Sequence, residues 1–221
     1  MASETTETEG TDEAPAGPLD VQVTRTFAAP VEEVWRAWSD PAYLTGWWGP
    51  TGFTCPRADV DFREGGVTLV VMRAPAEYGG QEMFNTWSYT RIVPRERIEF
   101  VLHFADEHGA PFDPATTPGL PPGIPFGVPH VITFTPRGAG TTEMTLVERG
   151  YTTPEARDTS RAGLDQTLDK LAALLAAPPA ACRRRRRGWE DRFDLLNSWG
   201  AESMRHTELV TRVAEVPGVL G

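Results

Sequence analysis

The chain has 221 residues, of which 40% are apolar and 24% are charged, and its formal net charge is −10. This is the composition of a globular chain long enough for one domain with appendages, and its acidic excess disfavours nucleic-acid binding, because phosphate contacts need clustered Lys and Arg. Two cysteines and four scattered histidines provide neither a disulfide framework nor zinc-ligand spacing, so no metal and no cofactor is expected.

The N-terminal segment indicates where the protein resides. Residues 1–20 contain six acidic residues and no Lys or Arg, and they predict a disordered acidic tail because they have almost nothing to bury. They also lack the basic and apolar regions of a secretory signal. No apolar run approaches the roughly 20 residues of a membrane span. We therefore expect a cytoplasmic protein that does not bind a membrane.

The first half of the domain begins with one strand and two short helices. Val21, Val23 and Phe27 alternate with polar residues, which is the period of a strand. Pro30 stands where helices favour proline, and the apolar residues after it recur at the spacing of one helix face. Asp40-Pro41 ends this helix and begins a second one over residues 42–48.

Strands then follow one another up to a final helix. Alternating or wholly apolar runs bounded by turn residues predict six strands, over residues 54–62, 67–73, 82–93, 97–104, 130–135 and 141–151. The Pro- and Gly-rich loop 105–129 is long enough to be a lid or a mobile segment. A helix from Pro154 to residue 177 carries a stripe of Leu164, Leu168, Leu171 and Leu175. Short links between strands favour an antiparallel sheet, and one helix on that sheet gives an α+β fold.

Several segments resemble one known family. The run RTFAAPVEEVWRAWSDPAYLTGWWGPTGFT at 25–54 resembles the opening of the START-like SRPBCC superfamily, in the branch named after the activator of heat shock protein 90 ATPase. Similar pieces follow in order, namely DFREGG, TWSYTRIVPRERIEF, VITFTPRGAGTTEMTL and GLDQTLDKLAALLA. The resemblance covers residues 21–177. It implies a helix-grip fold, in which a seven-stranded antiparallel sheet wraps around the long C-terminal helix and leaves a cavity.

The resemblance does not imply one activity. Proteins similar to this one include ligand carriers, cyclases, hydrolytic enzymes and a co-chaperone domain, and a fold by itself is weak grounds for a function. The function therefore has to be argued from candidate residues.

The aromatic residues are candidates for a cavity lining. Large aromatic side chains dominate ordinary cores, but ligand pockets are also mostly apolar with a few placed polar groups, and the resemblance favours a cavity. The candidates for ligand binding are Arg25, Trp47, Trp48, Phe53, Trp87, Tyr89, Phe100, Phe126, His130 and Met144.

Two of these candidates are polar. Arg25 shares a strand face with Val21, Val23 and Phe27, so we expect it to need a buried partner or a ligand carboxylate. His130 opens a strand just after the long loop, and it is either a surface residue at a strand end or an acid/base at the cavity mouth.

The remaining polar residues give no catalytic constellation. We expect the strand carboxylates, including Glu143 and Glu148, to form cross-strand pairs with arginines on the solvated face. Cys55 is interpreted as a buried inert thiol. No G-x-S-x-G, G-x-G-x-x-G or Walker motif occurs, so no catalytic residue is assigned.

Residues 178–221 form an extension outside the family pattern. RRRRR at 183–187 is followed by acidic residues at 190, 191 and 194, which would repel nucleic acid and anionic membranes. Apolar residues at helical spacing from Trp189 onward favour an amphipathic helix, and segment 189–216 is a candidate contact for a homodimer or another protein. Docking on the domain itself and a largely disordered extension are the alternatives.

The sequence thus predicts a domain that binds a small hydrophobic molecule in an internal cavity, and binding is expected more than catalysis. Two alternatives stay open. One is a cyclase- or hydrolase-type enzyme on the same scaffold, with Arg25 and His130 as its polar groups. The other is a co-chaperone-like protein of a stress response.

Overall fold

The computed structural model describes Gly17 and residues 19–117, 120–138 and 140–177. The predicted order of one strand, two short helices, six strands and a long helix is confirmed. In chain order the elements are β1 (Val21–Phe27), α1 (Val31–Ser39), α2 (Pro41–Trp47), β2 (Thr54–Asp59), β3 (Val67–Arg73), β4 (Glu82–Val93), β5 (Arg97–Ala105), β6 (Val128–Pro136), β7 (Thr142–Glu148) and α3 (Pro154–Ala176).

The strands form one curled antiparallel sheet. Their order is β1-β7-β6-β5-β4-β3-β2, so β1 lies beside the last strand and the others follow as a meander. The predicted α+β helix-grip architecture is confirmed. β7 ends at Glu148, earlier than predicted, because Gly150 has a φ of +94° and turns the chain toward α3.

Each of the two short helices begins at a proline, Pro30 before α1 and Pro41 at the first position of α2. Pro30 precedes α1 in an extended conformation. The Oδ1 atom of Asp40 accepts a hydrogen bond from the backbone N–H of Ala42 at 2.9 Å and caps α2, as expected for an N-cap aspartate. The indole N–H of Trp47 donates to the carbonyl oxygen of Ala37 at 3.0 Å and ties α2 to α1.

The core lies between the inner face of the sheet, α1, α2 and α3. Of the predicted stripe on α3, Leu164, Leu168 and Leu171 are buried, and Leu175 is half-buried. Burying side chains of this size provides most of the stabilisation of a domain. The largest fully buried side chains include Trp38, Trp47, Trp87, Phe27 and Phe100.

Parts of the predicted organisation lie outside the described residues. This holds for residues 1–16 of the acidic tail and for the whole extension 178–221 with its segment 189–216, which stay predictions. Leu19, at the end of the predicted tail, packs against the core. Within the described residues, none of the helices combines the length and the apolarity that crossing a bilayer demands.

Candidate functional site

A cavity of about 240 Å³ lies between the inner face of the sheet and α3. The walls are mostly apolar, with side chains from the five strands β3 to β7, the segment after α2, the long loop and α3. This is the composition expected of a small-molecule site, in which a few polar groups fix orientation. Among the apolar lining residues are Met72, Leu102, Phe104, Ile124, Val128 and Leu164.

One wall of the cavity holds a buried imidazole–carboxylate pair. His130 on β6 and Glu148 on β7 are cross-strand neighbours, and they are 4% and 5% exposed. The Nε2 atom of His130 lies 3.2 Å from Oε1 of Glu148. The imidazole stacks on Phe100 with ring centroids 4.6 Å apart, and Phe100 stacks on Trp87 at 4.9 Å. Two of the predicted aromatic residues therefore support the ring of His130.

The hydrogen bonds around His130 define where its proton lies. Nδ1 is 2.8 Å from the carbonyl oxygen of Val128, and a carbonyl oxygen can only accept, so Nδ1 carries a hydrogen. A further proton then lies between Nε2 of His130 and Oε1 of Glu148. If it is on His130, the two residues form an imidazolium–carboxylate pair, and if it is on Glu148, both groups are neutral. In both cases the pair has no net charge.

Two hydroxyl groups complete the surroundings of Glu148. Its Oε2 atom accepts hydrogen bonds from Ser160 Oγ at 2.6 Å and from Tyr151 Oη at 2.8 Å. Burial raises the pKa of Glu148, but the hydrogen bond and charge of His130, with the bonds from Ser160 and Tyr151, outweigh it and leave the pKa below its usual range. Burial and the neighbouring Glu148 raise the pKa of Tyr151, so its phenol keeps its proton as a donor.

Asn85 is a further deeply buried polar residue of the wall. It lies on β4, is 2% exposed and lines the cavity. Its side chain forms no hydrogen bond with any other residue that the structure describes. The amide is therefore free to bind a polar group in the cavity.

Gly163 makes part of the space. It lies inside α3 and lines the cavity, and a Cβ atom built on it would meet no atom within 4 Å. Glycine destabilises a helix interior by about 1 kcal/mol relative to alanine, so its presence here is explained by the space it leaves rather than by helix formation.

The long loop closes the cavity on one side. Leu120, Pro121 and Ile124 line the wall. The backbone N–H of Thr152 donates to the carbonyl oxygen of Gly123 at 2.9 Å, and the hydroxyl of Thr153 donates to that of Pro122 at 2.6 Å. The loop is thus bonded to the segment that leads into α3.

Comparison with known proteins agrees with this architecture. The family model described as Activator of Hsp90 ATPase homolog 1-like protein matches residues 28–176. The chain belongs to this family. No curated protein is significantly similar to the chain.

Several solved structures have the same fold as this chain. A protein of Chromobacterium violaceum is 29% identical with a TM-score of 0.58, over 73% of this chain and all of that one. A protein of Arthrobacter aurescens is 26% identical with a TM-score of 0.59, over 73% and 88% of the two chains. The AHSA1 protein of Silicibacter pomeroyi is 25% identical with a TM-score of 0.57, over 71% and 97%.

Within this family fold, the predicted site residues are divided between the cavity and the core. Trp48 and His130 line the cavity. The alternative of a surface position for His130 is wrong, because its ring is enclosed between the sheet and α3. The buried residues Trp47, Trp87, Tyr89, Phe100 and Met144 lie outside the lining, in the core.

The other three candidates lie elsewhere. Phe53 is half-buried, and Phe126 is 52% exposed and contacts His103 edge-on, with ring centroids 5.2 Å apart. Arg25 turns toward α3, as its strand face predicts, and its Nη2 atom lies 2.7 Å from Oδ1 of Asp165. A protein carboxylate on the helix is thus its partner.

The prediction that Glu148 lies on the solvated face is wrong, since the residue is 5% exposed. The side chain of Glu148 is buried because β7 continues the alternation of Met144 and Leu146, which places every second side chain on the inner face. Asn85 likewise precedes Trp87 and Tyr89 at a spacing of two. Both residues could have been found from this period, whereas Tyr151 and Ser160 lie beyond β7 and had no such signal.

The remaining reactive groups give no second site. Cys55 is a buried free thiol whose pKa is raised by burial, in agreement with the prediction of an inert cysteine. Within the residues that the structure describes, no group of three or more His, Cys, Asp or Glu could hold a metal ion.

Proposed function

We propose that this protein binds a small, neutral, mostly apolar molecule in the cavity between the sheet and α3. The observation that carries the proposal is the cavity itself, which has apolar walls, two separate polar positions and a glycine that leaves room in the helix. A cytoplasmic location remains part of the proposal.

The volume limits the size of the ligand. An apolar cavity of about 150 Å³ accommodates benzene. By the same ratio, 240 Å³ suits a molecule of roughly ten non-hydrogen atoms.

The charges of the lining limit its chemistry. Among the lining residues that the structure describes, His130 and Glu148 are the only charged pair, and they neutralise each other, while the phenol of Tyr151 keeps its proton because its pKa is raised. A charged ligand would therefore be buried without a counter-charge, which is strongly unfavourable.

Binding is supported better than catalysis on the same scaffold. Of the two polar groups considered for an enzyme, Arg25 pairs with Asp165 and does not line the cavity. His130 remains on the wall, but both of its ring nitrogens are already hydrogen-bonded inside the protein. A second group convergent with His130 on a reacting atom would be needed for acid/base chemistry.

The proposal is tested by native mass spectrometry of the freshly purified full chain, compared with its denatured mass. We expect an added mass that disappears on denaturation. The variant Gly163→Leu places a side chain into the cavity from a helix position that has room for it, so it should remain folded and lose the added mass. Ala162→Leu, at the exposed neighbouring position, is the matched control and should retain it.

A result in which Gly163→Leu keeps the same bound molecule as the wild type would contradict binding in this cavity. Thermal unfolding followed by circular dichroism shows whether both variants are folded, since leucine forms helix better than glycine.

A further inference from the structure

The side-chain amide of Asn85 and the indole N–H of Trp48 are deeply buried polar groups of the cavity wall without a hydrogen-bond partner among the described residues. Of the two, only the amide offers both donors and an acceptor. It is 2% exposed and forms no side-chain hydrogen bond. A buried amide without a partner destabilises a protein, because it loses its hydrogen bonds to water and gains none. The amide atoms of Asn85 are not among the enclosed atoms that lack a partner, so they border the cavity. A ligand in the cavity can therefore satisfy them.

The sheet register places Asn85 away from the other polar position. Asn85 pairs with Phe104 on β5, whereas His130 pairs with Phe100 on the same strand. Leu102 lies midway between these two positions and lines the cavity. The wall is therefore polar at two places with an apolar stretch between them.

The two polar positions differ in what they leave free. His130, Glu148, Tyr151 and Ser160 bond with one another or with Val128. They contribute polarity, but their strongest donors are occupied. Asn85 has two N–H donors and one acceptor oxygen available. On the sheet wall, recognition of a polar group on the ligand thus falls on Asn85, whereas the indole N–H of Trp48 is a single donor on the segment after α2.

We infer that Asn85 anchors the ligand by donating its amide hydrogens to a carbonyl oxygen, so that the ligand is a neutral, mostly apolar carbonyl compound. This inference rests on the proposed function and adds the ligand class. A carbonyl oxygen has two lone pairs and accepts from the N–H donors without bringing a charge into the cavity.

The test uses two bicyclic probes of suitable size, the ketone α-tetralone and its deoxygenated analogue tetralin, with affinities measured by isothermal titration calorimetry on the full chain. Asn85→Leu keeps the approximate shape and removes the amide. We expect this variant to bind α-tetralone at least tenfold more weakly than the wild type does, since the loss of one hydrogen bond corresponds to roughly tenfold in affinity. Its affinity for tetralin should stay within about twofold of the wild-type value.

Thr86→Val is the matched control. Thr86 is the next residue of β4, is also buried, and faces the opposite side of the sheet. It does not line the cavity, so its substitution should change neither affinity.

The stability of the unliganded variants gives a second, independent readout. If the amide lacks a partner, Asn85→Leu should raise the Tm, whereas a structural hydrogen bond of Asn85 would make the same substitution lower it. A lower Tm, or an equal loss of affinity for ketone and hydrocarbon, would overturn the inference. So would a wild type that prefers the alcohol α-tetralol to α-tetralone.

These outcomes separate the inference from the proposed function. If the wild type binds neither tetralin nor α-tetralone, the proposed cavity binding fails, and a raised Tm of Asn85→Leu would still show an unpartnered amide. If the wild type binds both equally and Asn85→Leu changes nothing, cavity binding stands and the role of Asn85 is refuted.

Discussion

Lys170 is the only lysine of the chain, and it binds backbone rather than an acidic side chain. Its Nζ atom lies 2.8 Å from the carbonyl oxygen of Phe53, 2.9 Å from that of Gly49 and 3.5 Å from that of Trp48. The ammonium group is a compact charge with three donors, so one nitrogen serves all three acceptors. Lys170 thereby attaches the segment after α2, including cavity residue Trp48, to α3.

Substitution Lys170→Met should reduce the free energy of unfolding by about 2 kcal/mol, because hydrogen bonds to a charged group contribute about 1.5–3 kcal/mol and the three carbonyls would lose their donor. Urea denaturation monitored by tryptophan fluorescence measures this. Asp169→Asn, at the exposed neighbouring position, is the control and should stay within about 0.5 kcal/mol of the wild type. Equal stability of Lys170→Met and the control would show that the contacts contribute nothing.

At the scale of elements, the closing loop and α3 share one residue. The hydroxyl of Thr153 donates to the carbonyl oxygen of Pro122 and accepts from the backbone N–H of Ala156 at 3.2 Å. It is therefore the N-cap of α3 and the point at which the loop is fixed. Displacing the loop would therefore disturb the start of α3. Since the loop and α3 both line the cavity, it would also alter the shape of the cavity.

Among the described glycines of the loop, Gly123 has the least room for a side chain. It has a φ of +101°, and a Cβ atom there would lie 2.6 Å from Oγ1 of Thr153. Gly123→Ala should destabilise the loop through both the left-handed backbone and this clash, by about 1–2 kcal/mol for the backbone alone. We expect faster hydrogen exchange of the Thr152 amide and of residues 120–125, measured by mass spectrometry.

Gly109→Ala separates the two causes. Gly109 has a φ of +82°, but its Cβ would lie 3.6 Å from the nearest atom, a methyl carbon of Thr86. It carries the same backbone penalty without the clash. If the Thr152 amide exchanges at the wild-type rate in Gly123→Ala, or equally faster in both variants, the hydrogen bond between Thr153 and the loop is not what holds the loop in place.

Strand periodicity explains how much of the site could be predicted. The alternation of Phe100, Leu102 and Phe104 correctly assigns the inner face of β5, and the same rule applied to Met144 and Leu146 would have assigned Glu148. Tertiary partners could not be derived this way. Asp165 lies 140 positions from Arg25, and Ser160 meets Glu148 only because α3 packs on the sheet.

At the scale of the whole molecule, Glu148 connects parts of the chain that are distant in sequence. Its carboxylate bonds with His130 on β6, with Tyr151 before α3 and with Ser160 on α3. Hydrogen bonds of an ionised and buried group are stronger than those between neutral groups. The protonation of this carboxyl is therefore linked to the stability of the complete fold.

The direction of the pH effect follows from the lowered pKa of Glu148. In the unfolded chain a glutamate has a pKa of about 4.3. At a pH between the folded and the unfolded pKa of Glu148, the unfolded chain therefore binds more protons than the folded protein does. The stability that Glu148 contributes is complete above about pH 5 and is lost as the pH falls through the folded pKa.

Glu148→Gln isolates this contribution. The amide oxygen can accept from Ser160 and Tyr151, and the amide N–H can donate to a neutral His130, so the variant should fold with its network intact but uncharged. We expect it to be less stable than the wild type by about 1–3 kcal/mol at pH 7, and the difference should shrink steadily below pH 4. Urea denaturation of both proteins at several pH values measures it. A difference that stays constant down to pH 3 would mean that the carboxylate of Glu148 is not what links acid to unfolding.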